Sequence, residues 1–237
     1  MFSPMLRIVA VHFPLFILIA CGGGGGGGGG GATGPTVSTG SFPLRAGHSA
    51  LTSAGATDNF TVSGTCAGTS TITDSPATPA NFEGIAGFAA TTTATINFTN
   101  CTPASSAASS VTFYDVNYTV LGSSTPGQEY SKFQTLPPPL PASIRVGDTA
   151  TYGTLIRYTD SSKAVITGTT LRSYVVEPDT ADTAVINFIA KDYNNASQLL
   201  FTQQTRYRIF ATGTLTVLSI DIQFTTTSTT HLVLTKS

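Results

Sequence analysis

The sequence predicts an all-β protein, and three observations carry that prediction. Threonine recurs along the whole chain, and its β-branched side chain favours a pleated strand over a helix. Between residues 149 and 237, six segments rich in Val, Ile and Thr are separated by short turn clusters. Several segments also alternate apolar and polar residues with a period of two, the pattern of a strand wet on one face. The architecture expected is a small N-terminal β-sandwich-like part followed by a long-stranded, curved antiparallel β-meander.

The first part, residues 42–125, holds short apolar segments at 60–62, 69–73, 85–90, 93–99 and 111–121, split by Gly, Pro and Ser. Within 94–100, Ile96 and Phe98 fall on one face and Thr95, Asn97 and Thr99 on the other. Residues 126–148 follow as a connector. The run from Pro126 to Pro141, ending Pro137-Pro138-Pro139-Leu140-Pro141, is extended and poor in backbone donors.

The second part, 149–237, gives the expected meander its strands at 149–159, 165–177, 183–193, 198–210, 214–225 and 230–236. Turn-forming residues separate them, among them Asp160-Ser161-Ser162, Pro178-Asp179-Thr180, Asn194-Asn195 and Thr212-Gly213. Links this short join antiparallel neighbours. Alternation places Tyr152, Thr154, Ile156 and Tyr158 on one side, opposite Leu155 and Arg157. It sets Leu218, Ile220, Ile222 and Phe224 against Val217, Ser219, Asp221 and Gln223. Strands this long twist and curve, so the meander either closes with strands of the first part or cups an apolar, lipid-sized concavity.

Ahead of the folded part, residues 1–20 have the form of an export signal, with one cation (Arg7) and an apolar run over 8–19. That run contains His12 and Pro14 and is shorter than the roughly 20 apolar residues a membrane-spanning helix needs. It ends in Leu18-Ile19-Ala20-Cys21, which resembles the lipobox of bacterial lipoproteins. Ile19 is less typical of that motif than Ser, Ala or Thr. The resemblance covers the export segment alone. It implies cleavage before Cys21, a thioether-linked diacylglycerol on that residue and a further acyl chain on the new amino group. Several chains hold a protein to a bilayer where one would not. The residue after Cys21 is Gly22, not the Asp that retains such lipoproteins at the inner membrane, so the resemblance implies an outer-membrane anchor.

Ten glycines follow Cys21, and residues 21–41 read as the lipidated Cys and a Gly-rich tether with no apolar surface to bury. With Cys21 assigned to lipid, Cys66 and Cys101 remain in an oxidising compartment and are expected to form a disulfide. Closing a loop of about 36 residues is worth roughly 3 to 4 kcal/mol by chain entropy.

The formal net charge of −1 and a charged fraction of 10% leave no concentrated cationic face, which argues against nucleic-acid binding. There is no Gly-x-Ser-x-Gly, Ser-x-x-Lys or His-Glu-x-x-His motif, and a His-based active site would have to recruit His48 or His231, both expected at the surface or at an edge. Glu177, Asp179 and Asp182 lack calcium-loop spacing and read as turn caps. Asp115 and Glu129 are a carboxylate pair with no stated geometry. In Arg206-Tyr207-Arg208 the two arginines share a face, expected to meet cross-strand partners such as Asp221. No catalytic residue, metal or cofactor is expected. The chain reads as a non-catalytic envelope lipoprotein held in the bilayer by acylated Cys21, binding a protein partner or an apolar ligand through its curved sheet. A displayed adhesive module and an envelope-polymer hydrolase are the alternatives.

Overall fold

The structure, a computed structural model, describes residues 37–225 and 230–237. The export signal, Cys21 and the glycine run of the tether lie outside the described residues. One helix and thirteen strands make up the body. They are α1 (Leu44–Ala54), β1 (Ala56–Gly64), β2 (Gly68–Asp74), β3 (Thr78–Phe82), β4 (Ile85–Phe98), β5 (Ser105–Asp115), β6 (Val120–Thr125) and β7 (Glu129–Phe133). The remaining strands are β8 (Thr149–Tyr158), β9 (Ile166–Pro178), β10 (Thr183–Asn194), β11 (Leu199–Phe210), β12 (Leu215–Phe224) and β13 (His231–Lys236).

All thirteen strands belong to one antiparallel sheet, and β2 pairs with β4 as well as with β1. That second pairing, with Gly68 opposite Phe98 and Asp74 opposite Thr92, closes twelve strands into a barrel and leaves β3 outside the ring. The expectation of a sandwich followed by a meander is therefore corrected: residues 42–125 and 149–237 supply the two arcs of one wall. The meander itself is present, since β8 to β13 pair in chain order. It closes against β1 through β13 instead of cupping an open concavity.

Several local expectations also change. Residues 85–90 and 93–99 form the single strand β4, whereas 111–121 breaks at the turn Asp115–Val120, where the Asp115 carboxylate accepts from the N–H groups of Asn117 and Thr119. The proline-rich span contains the wall strand β7, whose Phe133 is opposite Leu155 of β8. Two bulges shift the predicted faces. One at Thr151/Gly153 turns Tyr152 inward with Leu155 and away from Thr154 and Ile156. The other, between Arg206 and Tyr207, lets Val217 and Leu215 join Ile220 and Ile222 in the core.

Eight strands make a barrel that its own side chains can fill, and twelve enclose more room than that. Two further pieces occupy it. One is α1, and the other is the long link 134–148 between β7 and β8. Phe42, Leu44, Leu140 and Ile144 from these pieces are buried in the same apolar cluster as the inward residues of the wall. Phe42 and Ile144 exchange backbone hydrogen bonds of 2.8 and 2.9 Å, and Arg45 Nε donates to Leu140 O at 2.7 Å, so the two pieces form one plug. Gly47 lets the helix approach the β11–β12 turn, because a Cβ there would overlap the carbonyl oxygen of Gly213.

Antiparallel order sorts the links into two rims. The plug, the α1–β1 junction and the β5–β6, β7–β8, β9–β10 and β11–β12 links share one rim. The β1–β2, β4–β5, β6–β7, β8–β9 and β10–β11 links share the other, where Cys66 and Cys101 form the expected disulfide with Cα atoms 5.7 Å apart. Outside the wall, Phe82 of β3 lies over Gly122 and stacks on Phe113 and Tyr130 at 4.6 and 5.5 Å. Glu83, at the tip of that hairpin, accepts from Tyr130, Lys132 and Lys163, which holds its carboxyl well below the usual range.

Candidate functional site

The barrel interior is the most structured polar environment in the molecule, and two parts of it were not foreseen from sequence. The first surrounds His48. Leu44, His48 and Leu51 recur on one face of α1, so docking the helix puts the imidazole inside the wall. It is 4% exposed, and desolvation lowers its pKa to about 4, which keeps it neutral across the physiological range. The sequence-based placement of His48 at an edge is thus overturned; His231 does lie at the surface, on β13, with Nε2 3.0 Å from Asp221 Oδ1.

Around His48 stand Tyr114, Tyr207, Asp74, Phe188 and Leu215 on one side and Tyr152, Arg172, Tyr174 and Leu140 on the other. These groups line two cavities, of about 40 and about 20 Å³, which share His48 and Phe188. Each is large enough for a water molecule or two and too small for a lipid chain. Burial raises the pKa of Tyr114, Tyr152 and Tyr207, and it pulls the Arg172 guanidinium down to about 10 against the attraction of Asp192. All three phenols are therefore neutral donors and acceptors, not nucleophiles.

The second part is a buried ion network facing the lumen near the disulfide rim. Arg157 Nη1 is 3.1 Å from Glu129 Oε2 and 3.3 Å from Asp192 Oδ2, and Nη2 donates to Tyr193 O at 2.8 Å. Thr170 donates to the other oxygen of Asp192 in a short hydrogen bond. Gly168, opposite Arg157 in register and at φ 152°, makes this geometry feasible, since a Cβ there would come within 2.9 Å of Arg157 Nη2 and overlap Tyr193 O. Burial raises the pKa of Asp192, opposed by Arg157, Thr170 and Arg172. Every strong charge here is held by a fixed partner, which suits a structural brace.

The remaining residues singled out from sequence are dispersed. Asp115 and Glu129 sit at opposite rims. Arg206 and Arg208 share the outer face as expected, but their partners are Glu177 at 3.4 Å and Asp179 at 2.6 Å across β9 and its following turn, not Asp221. Asp179 also accepts from Thr183, so it and Glu177 serve the β9–β10 turn and its flank. Asp182 is exposed beside them. Among the described residues no three His, Cys, Asp or Glu side chains converge as a metal site.

The outer wall contrasts with the interior. Across β13, β1, β2 and β4 most outward positions are hydroxyls and amides, with Thr235, Thr61, Thr69 and Asn97 in one cross-strand row and Asn59, Thr71 and Thr95 in the next, Val233 being an apolar exception. Thr71 donates to Asn59 at 2.8 Å, and Thr57 and Thr73 share a hydrogen bond of 3.1 Å. A barrel in hydrocarbon carries an apolar outer band instead. No family model, no curated protein and no solved structure matches the chain.

Proposed function

We propose that the chain is a non-catalytic bacterial envelope lipoprotein, acylated at Cys21, whose barrel presents its outer wall and rim loops to a protein partner at the outer membrane. The observation that carries the reading is the filled lumen. With α1 and residues 134–148 packed into the apolar cluster of the wall, the cavities beside His48 are only about 20 and 40 Å³, which favours recognition on the outside over an enclosed apolar ligand. The hydroxyl-rich face of β13, β1, β2 and β4 favours a body beside the bilayer, not within it. The Leu18-Ile19-Ala20-Cys21 motif and the glycines that follow supply the anchor in this reading.

Replacing Cys21 by Ser tests it. Fractionation and intact mass of the exported protein are expected to show that acyl mass and membrane association disappear together. Membrane association that survives the substitution overturns the anchor, and an acylated protein found only at the inner membrane overturns the location.

A further inference from the structure

We propose that the plugged rim of the barrel is the face that rests on the bilayer, with Val116, Leu136 and Phe210 embedded among the lipid headgroups. The proposal rests on the lipoprotein reading and adds an orientation to it. Its first support is where apolar side chains remain uncovered. Among the described residues six large hydrophobic side chains are exposed, and four of them lie at the plugged rim: Val37 at 50%, Val116 at 67%, Leu136 at 57% and Phe210 at 39%. They come from separate places, the chain entry and the β5–β6, β7–β8 and β11–β12 links, so the rim is apolar at several points around its circumference. Each is already partly covered, so removing its remaining surface from water favours partition by roughly a few-fold to tenfold.

The second support is where the chain enters. Val37 leads into Phe42, which bridges to Ile144, and into Pro43, which lies against Gly213 of the β11–β12 turn. The membrane end of the chain therefore joins the body at the plugged rim. Val37 follows Cys21 by sixteen residues. The barrel wall stands about 30 Å tall, from strands of ten to fourteen residues at the usual rise and tilt. A seat on the disulfide rim would require the segment from Cys21 to Val37 to cover the height of the wall as well, whereas a seat on the plugged rim does not.

The charge at this rim sets the kind of contact. Asp115 is committed to its turn, Asp148 accepts from the Arg145 N–H at 2.8 Å, Asp179 is held by Arg208, and Arg45 donates to Leu140 O. Among the described residues the links of this rim also carry exposed Arg145 and Asp182, one charge of each sign, so the apolar side chains dominate the contact and salt affects it only weakly. The competing surface is Val165 and Ile166 at 55% and 47% exposure on the disulfide rim, and it serves as the internal comparison.

The test uses the full acylated chain in vesicles of phosphatidylethanolamine and phosphatidylglycerol. Leu136→Cys, Phe210→Cys and Val165→Cys are labelled separately with an environment-sensitive fluorophore, the native cysteines being acylated or paired. Blue-shifted emission and quenching by bilayer-embedded nitroxide are expected at 136 and 210, little changed in high salt, with neither at 165. Absence of quenching at 136 and 210, or quenching at 165 to the same degree, overturns the orientation. Flotation and intact mass separate the two readings: an acylated, floating protein with dark-water labels overturns only the orientation, and a chain without acyl mass overturns both.

Discussion

The imidazole of His48 on the plug helix stands 6.2 Å from the ring of Tyr114 on β5, the two planes tilted by 59°. A helix side chain thus packs directly on the inward face of the wall, and its protonation state is coupled to whether the plug is seated. Protonation at pH 6.5 in the unfolded chain against about 4 in the fold means the unfolded state binds more protons between those values. Stability from this residue is complete above pH 6.5 and falls as the pH is lowered towards 4, by at most about 1.4 kcal/mol per pH unit. Urea titrations of the wild type and of His48→Gln across pH 4 to 7 are expected to differ in that slope, with the variant flatter. Parallel slopes would mean that the imidazole is not buried neutral.

Gly47→Ala tests the seating of the plug by geometry alone. The added Cβ collides with the backbone of Gly213, which is not a flexible group, so a loss of about 1 to 3 kcal/mol is expected from overpacking. The neighbouring Ala46 is exposed, and Ala46→Ser is expected to stay within about 0.5 kcal/mol. Chemical denaturation of both variants checks the contrast, which vanishes if α1 is not docked.

Asp192→Ala removes the partner shared by Arg157 and Thr170 and leaves the buried guanidinium with Glu129 as its carboxylate partner and Tyr193 O as its carbonyl acceptor. Breaking a buried pair from one side costs about 3 to 5 kcal/mol, well beyond the loss of a surface ion pair. Arg208→Ala, which breaks a pair that is partly exposed on the outer face, is expected to cost about 1 kcal/mol or less. Equal effects in a denaturation series would show that the lumen is wetter than its packing implies.

Replacing Cys66 and Cys101 together by Ser is expected to cost roughly 3 to 4 kcal/mol, the chain-entropy value for the loop they close. The same shift should follow from reducing the wild type. A variant as stable as the parent would assign the bond no role in folding.

The parts of this fold legible in the sequence are those whose cause is local. The six strands β8 to β13 were readable to within a residue or two because long β-branched segments end at Asn, Asp, Gly and Pro turns. The Cys66–Cys101 pairing was legible by elimination once Cys21 was given to lipid. What stayed hidden depends on distant partners. The helix at 44–54 contains Gly47, Ser49, Thr52 and Ser53, poor helix formers that are helical here because the barrel buries Leu44 and His48. The strand at 129–133 is short and adjoins the proline run, so its place in the wall comes from β6 and β8. The bulge at Tyr207 reverses the alternation without any compositional mark, whereas the one at Gly153 is marked only by a glycine within the strand. The candidate site inherits these gaps, since His48 meets Tyr152, and Asp192 meets Arg157, only in the folded barrel.

The pairing of β13 between β1 and β12 has a consequence for how the molecule comes into being. Phe60 faces Lys236 across 176 residues, and the Nζ of Lys236 binds Asp58 on the neighbouring strand. Until residues 231–236 arrive, β1 and β12 are both raw edges with unmet backbone groups. A chain synthesised N-terminus first therefore remains an open, adhesive sheet through nearly all of its synthesis, and its hazard of self-association is greatest just before the end.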